Sequence, residues 1–79
     1  MTDLPLPKET IVKLGDRSYE KRKAAALEIE NMVKELQEKK EGQKVKAILV
    51  MLGTDFARST QHNHRKGGLI GLAAAAIGL

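Results

Sequence analysis

The sequence predicts an all-α chain of antiparallel helix hairpins, and three observations carry that expectation. Ala25, Ile29, Met32 and Leu36 step by four, three and four residues, which lays them along one helix face. No stretch alternates apolar and polar residues as a half-buried strand would. Pro7, Gly15 and Gly42 fall between the periodic stretches, where helices start and stop.

The first helix is expected over residues 7–14. Pro7 suits a first helical turn, Ile11 and Leu14 share a face, and Gly15 ends the segment. The second is expected over 17–41, because Asp16 or Ser18 offers a side-chain oxygen to the free amides of its first turn. Ala26 and Val33 widen its apolar stripe, Glu30–Lys34 and Glu35–Lys39 form favourable i,i+4 pairs, and Gly42 terminates it. The third helix is expected over 43–57, with Val45, Ile48, Leu49, Leu52 and Phe56 on one face. The polar run from Arg58 to His64 then reads as a loop. The fourth helix is expected over 65–79 and is apolar all round, with Leu69, Ile70, Leu72, four consecutive Ala and Ile77. A helix without a polar face has to be covered on every side.

Ile29, Leu36, Ile48, Leu52 and Leu72 are the expected core. That core is thin for 79 residues, because nine of the apolar residues are Ala and only two residues are aromatic. No Cys is present to add a disulfide or a thiolate metal site. The N-terminus shows neither a secretory signal nor a transit peptide, so a cytosolic start is expected. The chain stops at Leu79 within apolar sequence, while Met1 reads as a true start. An N-terminal piece of a longer protein is therefore expected, loosely packed and prone to associate by itself. Helix pairs of roughly 40 residues match the period of HEAT/armadillo-like solenoids, in which each repeat buries its face against the next.

Function classes narrow in the same way. The net charge of +4 arises in residues 42–79, where Lys44, Lys46, Arg58, Arg65 and Lys66 face Asp55 alone. These bases form no stripe and no aromatic is interleaved with them, which argues against nucleic acid. His62 and His64 have no Cys or carboxylate close in sequence to complete a metal site. The acids of the second helix alternate with bases and read as a solvated face rather than an acid–base pair. No Gly-x-Ser-x-Gly turn is present, and the glycines after Lys66 fit neither phosphate-binding pattern. No catalytic residue and no cofactor are expected. Gly67 and Gly71 lie four apart in a 13-residue apolar run, shorter than a membrane span of about 20. A membrane-associating small helical protein with an apolar C-terminal helix is the alternative reading. The glycines are expected to allow close approach of the fourth helix to the second.

Two blocks, Tyr19–Glu30 and Arg65–Ala74, resemble the N-terminal region of the vacuole-morphology scaffold family of eukaryotes. Ser59–His64, after a Phe-Ala pair, is similar as well, and the likeness runs over roughly residues 9–79. The resemblance implies a HEAT-repeat scaffold without catalytic activity. It implies assembly of a FYVE-domain lipid 5-kinase with a phosphoinositide phosphatase, controlling phosphatidylinositol 3,5-bisphosphate synthesis. It also implies self-association through a C-terminal region, and residence on the cytoplasmic face of endosomal and vacuolar or lysosomal membranes. Within the two blocks, burial is expected to fix Ala24–Ala26, Leu27 and Ile29, but not Lys21, Arg22, Lys23, Arg65 and Lys66. Arg65 and Lys66 are the expected partner-facing pair, because bases at a helix start oppose its dipole.

Overall fold

The computed structural model describes residues 4–79; residues 1–3, which the reading of 1–79 as one unit includes, lie outside the described residues. The elements are α1 (Lys8–Leu14), α2 (Tyr19–Glu38), α3 (Gly42–Met51), a π-helical turn (Leu52–Phe56) and α4 (His62–Gly78). Among the described residues there is no strand. The chain is all-α.

Pro7 is extended, at φ −59° and ψ 146°, and stands just before α1 with its carbonyl accepting from the Ile11 amide. Gly15 ends α1 at φ −96°, so no left-handed residue is needed there. What Gly15 provides is room, since a Cβ would collide with the His64 ring. Both candidate caps act at the start of α2. The Ser18 hydroxyl accepts from the Lys21 amide, and the Asp16 carboxylate accepts from the Ser18 amide at 2.7 Å.

The end of α2 differs from expectation. The helix stops at Glu38, Lys40 takes the left-handed conformation at φ 58°, and the Glu41 amide donates back to the Leu36 carbonyl at 2.9 Å. This is a Schellman closure with Lys where Gly is usual. Gly42 opens α3 instead of closing α2. The third helix is also interrupted: the Ala57 amide donates to the Leu52 carbonyl five residues back, a π-type bond. The loop expected up to His64 is shorter, because α4 begins at His62.

α2 lies in the middle. α1 runs antiparallel to it: Thr10 and Lys13 meet Glu28, and the following turn at Asp16 and Arg17 meets Arg22. α3 returns along α2, and α4 then lies parallel to it, with Gly71 against Ile29 and Gly78 against Val33. Leu6, Leu14, Ile29, Val33, Val45, Ile48, Leu52 and Phe56 form the shared core. Ile29, Ile48 and Leu52 are buried as expected; Leu36 and Leu72 are only half-buried at its edge. Leu36 sits at the rim, beside Leu4 and Pro5 of the N-terminal strap.

Candidate docking surface

α4 is packed inside out relative to the usual amphipathic helix. Gly67, Gly68, Gly71, Ala74, Ala75 and Gly78 are its buried residues, at helical spacing. Leu69 and Ile77 point outward, 61% and 68% exposed. Small residues face in because the neighbours come too close for anything larger. A Cβ on Gly67 would collide with the carbonyl oxygen of Leu14, and one on Gly68 would lie 2.7 Å from the Phe56 Cβ. The expected close approach therefore exists, but at Gly67 and Gly68 the partners are α1 and the π-helical turn. At Gly71 Leu52 of the π-helical turn is again the nearest neighbour, with Ile29 of α2 next to it, and at Gly78 α4 closes on α2 against Glu30 and Val33.

This rotation leaves a shallow apolar groove between the outer faces of α2 and α4. Ala24, Leu27, Ile70, Ala73 and Ile77 line it, with Lys23 and Glu30 among its polar borders. Ala24 is exposed and Leu27 is 58% exposed, so burial within this chain does not fix either, contrary to the sequence reading. The fourth helix, apolar all round in sequence, needs cover on every side, and the spacing of its small residues from Gly67 to Gly78 is the signal for which side faces in.

Arg22 corrects the charged set. It is 6% exposed, and its Nη1 donates to the carbonyls of Asp16 at 2.8 Å and Arg17 at 2.9 Å. It thereby serves carbonyls of the α1–α2 turn, and its guanidinium stands 5.9 Å from the Tyr19 ring centre. Structure explains this residue without a partner. Beside it, Glu28 holds α1 to α2: the buried Thr10 hydroxyl donates to it at 2.7 Å, and Lys13 pairs with its other oxygen. The Lys13 bond first, and then the Thr10 bond, hold the Glu28 carboxyl below the usual range.

Lys66 is exposed on the first turns of α4, as are Lys21 and Lys23 on α2. Arg65 is half-buried, with Nη1 donating to the Ser59 carbonyl at 3.4 Å. His64 packs its ring 5.5 Å from that of Phe56, while His62 is exposed. Among the described residues, no group of three or more His, Cys, Asp or Glu is arranged to hold a metal ion. No described helix is long and apolar enough to cross a membrane.

The chain is similar to several known proteins. The chain is 56% identical over 66 residues to the protein named VAC14 homolog of Arabidopsis thaliana, covering 84% of the chain and 9% of that relative. It is 46% identical over 68 residues to the VAC14 homolog of Schizosaccharomyces pombe, again over 84% of the chain and 8% of the relative. The chain carries a VAC14-family segment. The vacuole morphology and inheritance protein 14 of Saccharomyces cerevisiae is 45% identical over 67 residues, with 84% and 8% covered. The chain thus spans less than a tenth of the length of these curated VAC14 relatives. No family model matches it, and no solved structure does.

Proposed function

We propose that the chain is a non-catalytic scaffold element, the opening of a HEAT-like helical array in a protein of VAC14 type. The observation that carries this reading is the apolar groove of Leu27, Ile70 and Ile77, left open beside a seam of small residues. An isolated globular domain gains nothing from large apolar residues in water, whereas a stacked helical repeat buries them against its neighbour. The names of the relatives, concerned with vacuole morphology and inheritance, support a role at the vacuole.

On this reading the whole scaffold assembles and activates a lipid kinase and phosphatase pair that governs phosphatidylinositol 3,5-bisphosphate. Its partners are a FYVE-domain 5-kinase and a phosphoinositide phosphatase, and it self-associates through a distant C-terminal region. The complex works at the cytoplasmic face of endosomal and vacuolar membranes. Arg65 and Lys66 face the kinase. The test is co-purification of the kinase with a full-length scaffold carrying Arg65→Glu and Lys66→Glu. Weakened recruitment with unchanged thermal stability is expected; undiminished recruitment removes the pair from the interface.

A further inference from the structure

Basic residues from four separate stretches of the chain converge on one end of the molecule. The turn after α1 carries Arg17, the start of α2 carries Lys21, the segment after the π-helical turn carries Arg58, and the start of α4 carries Arg65 and Lys66. Direct contacts hold these stretches together. Gly67 abuts the Leu14 carbonyl, Gly15 abuts His64, and Gly68 abuts Phe56. Lys21 reaches Asp16 at 3.8 Å, and Arg65 reaches the Ser59 carbonyl at 3.4 Å.

Ion pairing is denser at the other end. At the far end of α2 and the start of α3, Lys34, Lys39 and Lys44 are paired with Glu30, Glu35 and Glu41 at 2.9–3.0 Å, while Lys40 and Lys46 stand unpaired among the described residues. At the near end, among the described residues, Arg17, Arg58, Arg65 and Lys66 have no carboxylate within pairing distance. A cluster of unpaired like charges repels itself, and a partner of opposite sign relieves that repulsion.

We propose that this end is a docking surface for an acidic protein segment, one bearing several Asp or Glu residues. The inference rests on the scaffold reading only for the existence of a protein partner. Two features favour a polypeptide over an anionic membrane. Asp16 and Glu20 stand among the bases, so a uniformly negative plane would meet carboxylates as well as cations, whereas separate acidic side chains can be placed between them. Tyr19, at the start of α2, and Leu69, two turns into α4, are 56% and 61% exposed and offer apolar contact to side chains lying between the acids. Arg17 and Arg58 lie on the stretches that glycine-lined contacts bring to the start of α4, so the proposed surface includes them besides Arg65 and Lys66.

The test uses the 79-residue chain and a fluorescein-labelled decaglutamate peptide, followed by fluorescence anisotropy. Binding is expected at low salt and should fade as salt rises, because exposed charges are screened. Arg17→Glu with Arg58→Glu should weaken it about tenfold. Lys8→Glu with Lys46→Glu makes the same change in net charge away from this end and should weaken it by less than about twofold. Helix content by circular dichroism checks folding. If the reversed pair unfolds the chain, Arg17→Gln with Arg58→Gln replaces it, with a loss of about threefold expected. Equal losses in the near-end and remote variants would mean that net charge alone attracts the peptide, and would overturn the proposal. So would unaltered affinity after the Arg17 and Arg58 changes, or flotation with phosphatidylserine vesicles in the absence of peptide binding. Kinase recruitment by the full-length scaffold is read in a different experiment, so either idea can fail while the other stands.

Discussion

At the scale of single residues, glycine shows how one substitution changes sign with its surroundings. Gly67→Ala would drive a methyl group into the Leu14 carbonyl, and overpacking of this kind costs about 1–3 kcal/mol. Gly53→Ala meets nothing within 4 Å, and with no positive φ to protect it should gain up to about 1 kcal/mol from helix propensity. Urea unfolding of the two variants checks the pair; a similar effect from both would show that the α1–α4 contact is slack. Glu28 gives a pH signature. Its folded-state pKa is depressed by Lys13 and Thr10, so its contribution is present above the unfolded value of about 4.3 and is lost as pH falls through the lower folded value. The melting temperature of the native chain should therefore drop more steeply below about pH 4.5 than that of Glu28→Gln. Parallel curves for the two proteins would remove Glu28 from the acid response. Arg22 was beyond reach of the sequence, because nothing in its spacing distinguishes a buried base serving a turn from its exposed neighbours Lys21 and Lys23.

At the scale of helices, α2 was legible and α4 only half so, for physical reasons. α2 meets its neighbours through Ala25, Ile29 and Val33, whose size and spacing both point inward, so periodicity and burial agree. In α4 they disagree: distance to α1 and the π-helical turn selects Gly and Ala for the inside, and hydrophobicity is left to mark the outside. The π-helical turn hides for another reason. The spacing of Ile48, Leu52 and Phe56 also fits an ordinary helix, and one extra residue per turn leaves no gap in the apolar pattern. Lys40 at φ 58° marks the place where the α2–α3 corner is strained. Lys40→Gly should raise stability by up to about 1 kcal/mol, since a side chain in left-handed backbone costs about that much. A fall in thermal midpoint would mean that this Lys contributes more than its backbone costs.

At the scale of the whole molecule, the docking reading and the folding core make separate demands. Ile29→Asp should cost several kcal/mol, because a charge would be buried without a partner at a fully enclosed site. Leu27→Gln with Ile77→Gln, both exposed, should change stability by less than about 1 kcal/mol. The same pair should abolish concentration-dependent association of the chain in sedimentation velocity, which we expect the open groove to cause. Association persisting in the double variant would place the sticky surface elsewhere. The seam between α4 and α1 also has a mechanical consequence. Where a helix rests on long side chains, a sideways push is taken up by rotamer changes. At Gly67 the helix rests on the Leu14 carbonyl itself, with no flexible spacer between two backbones. Load applied to the outer side of α4 near Gly67 therefore passes to α1 with little give, and this corner of the bundle moves as one stiff plate.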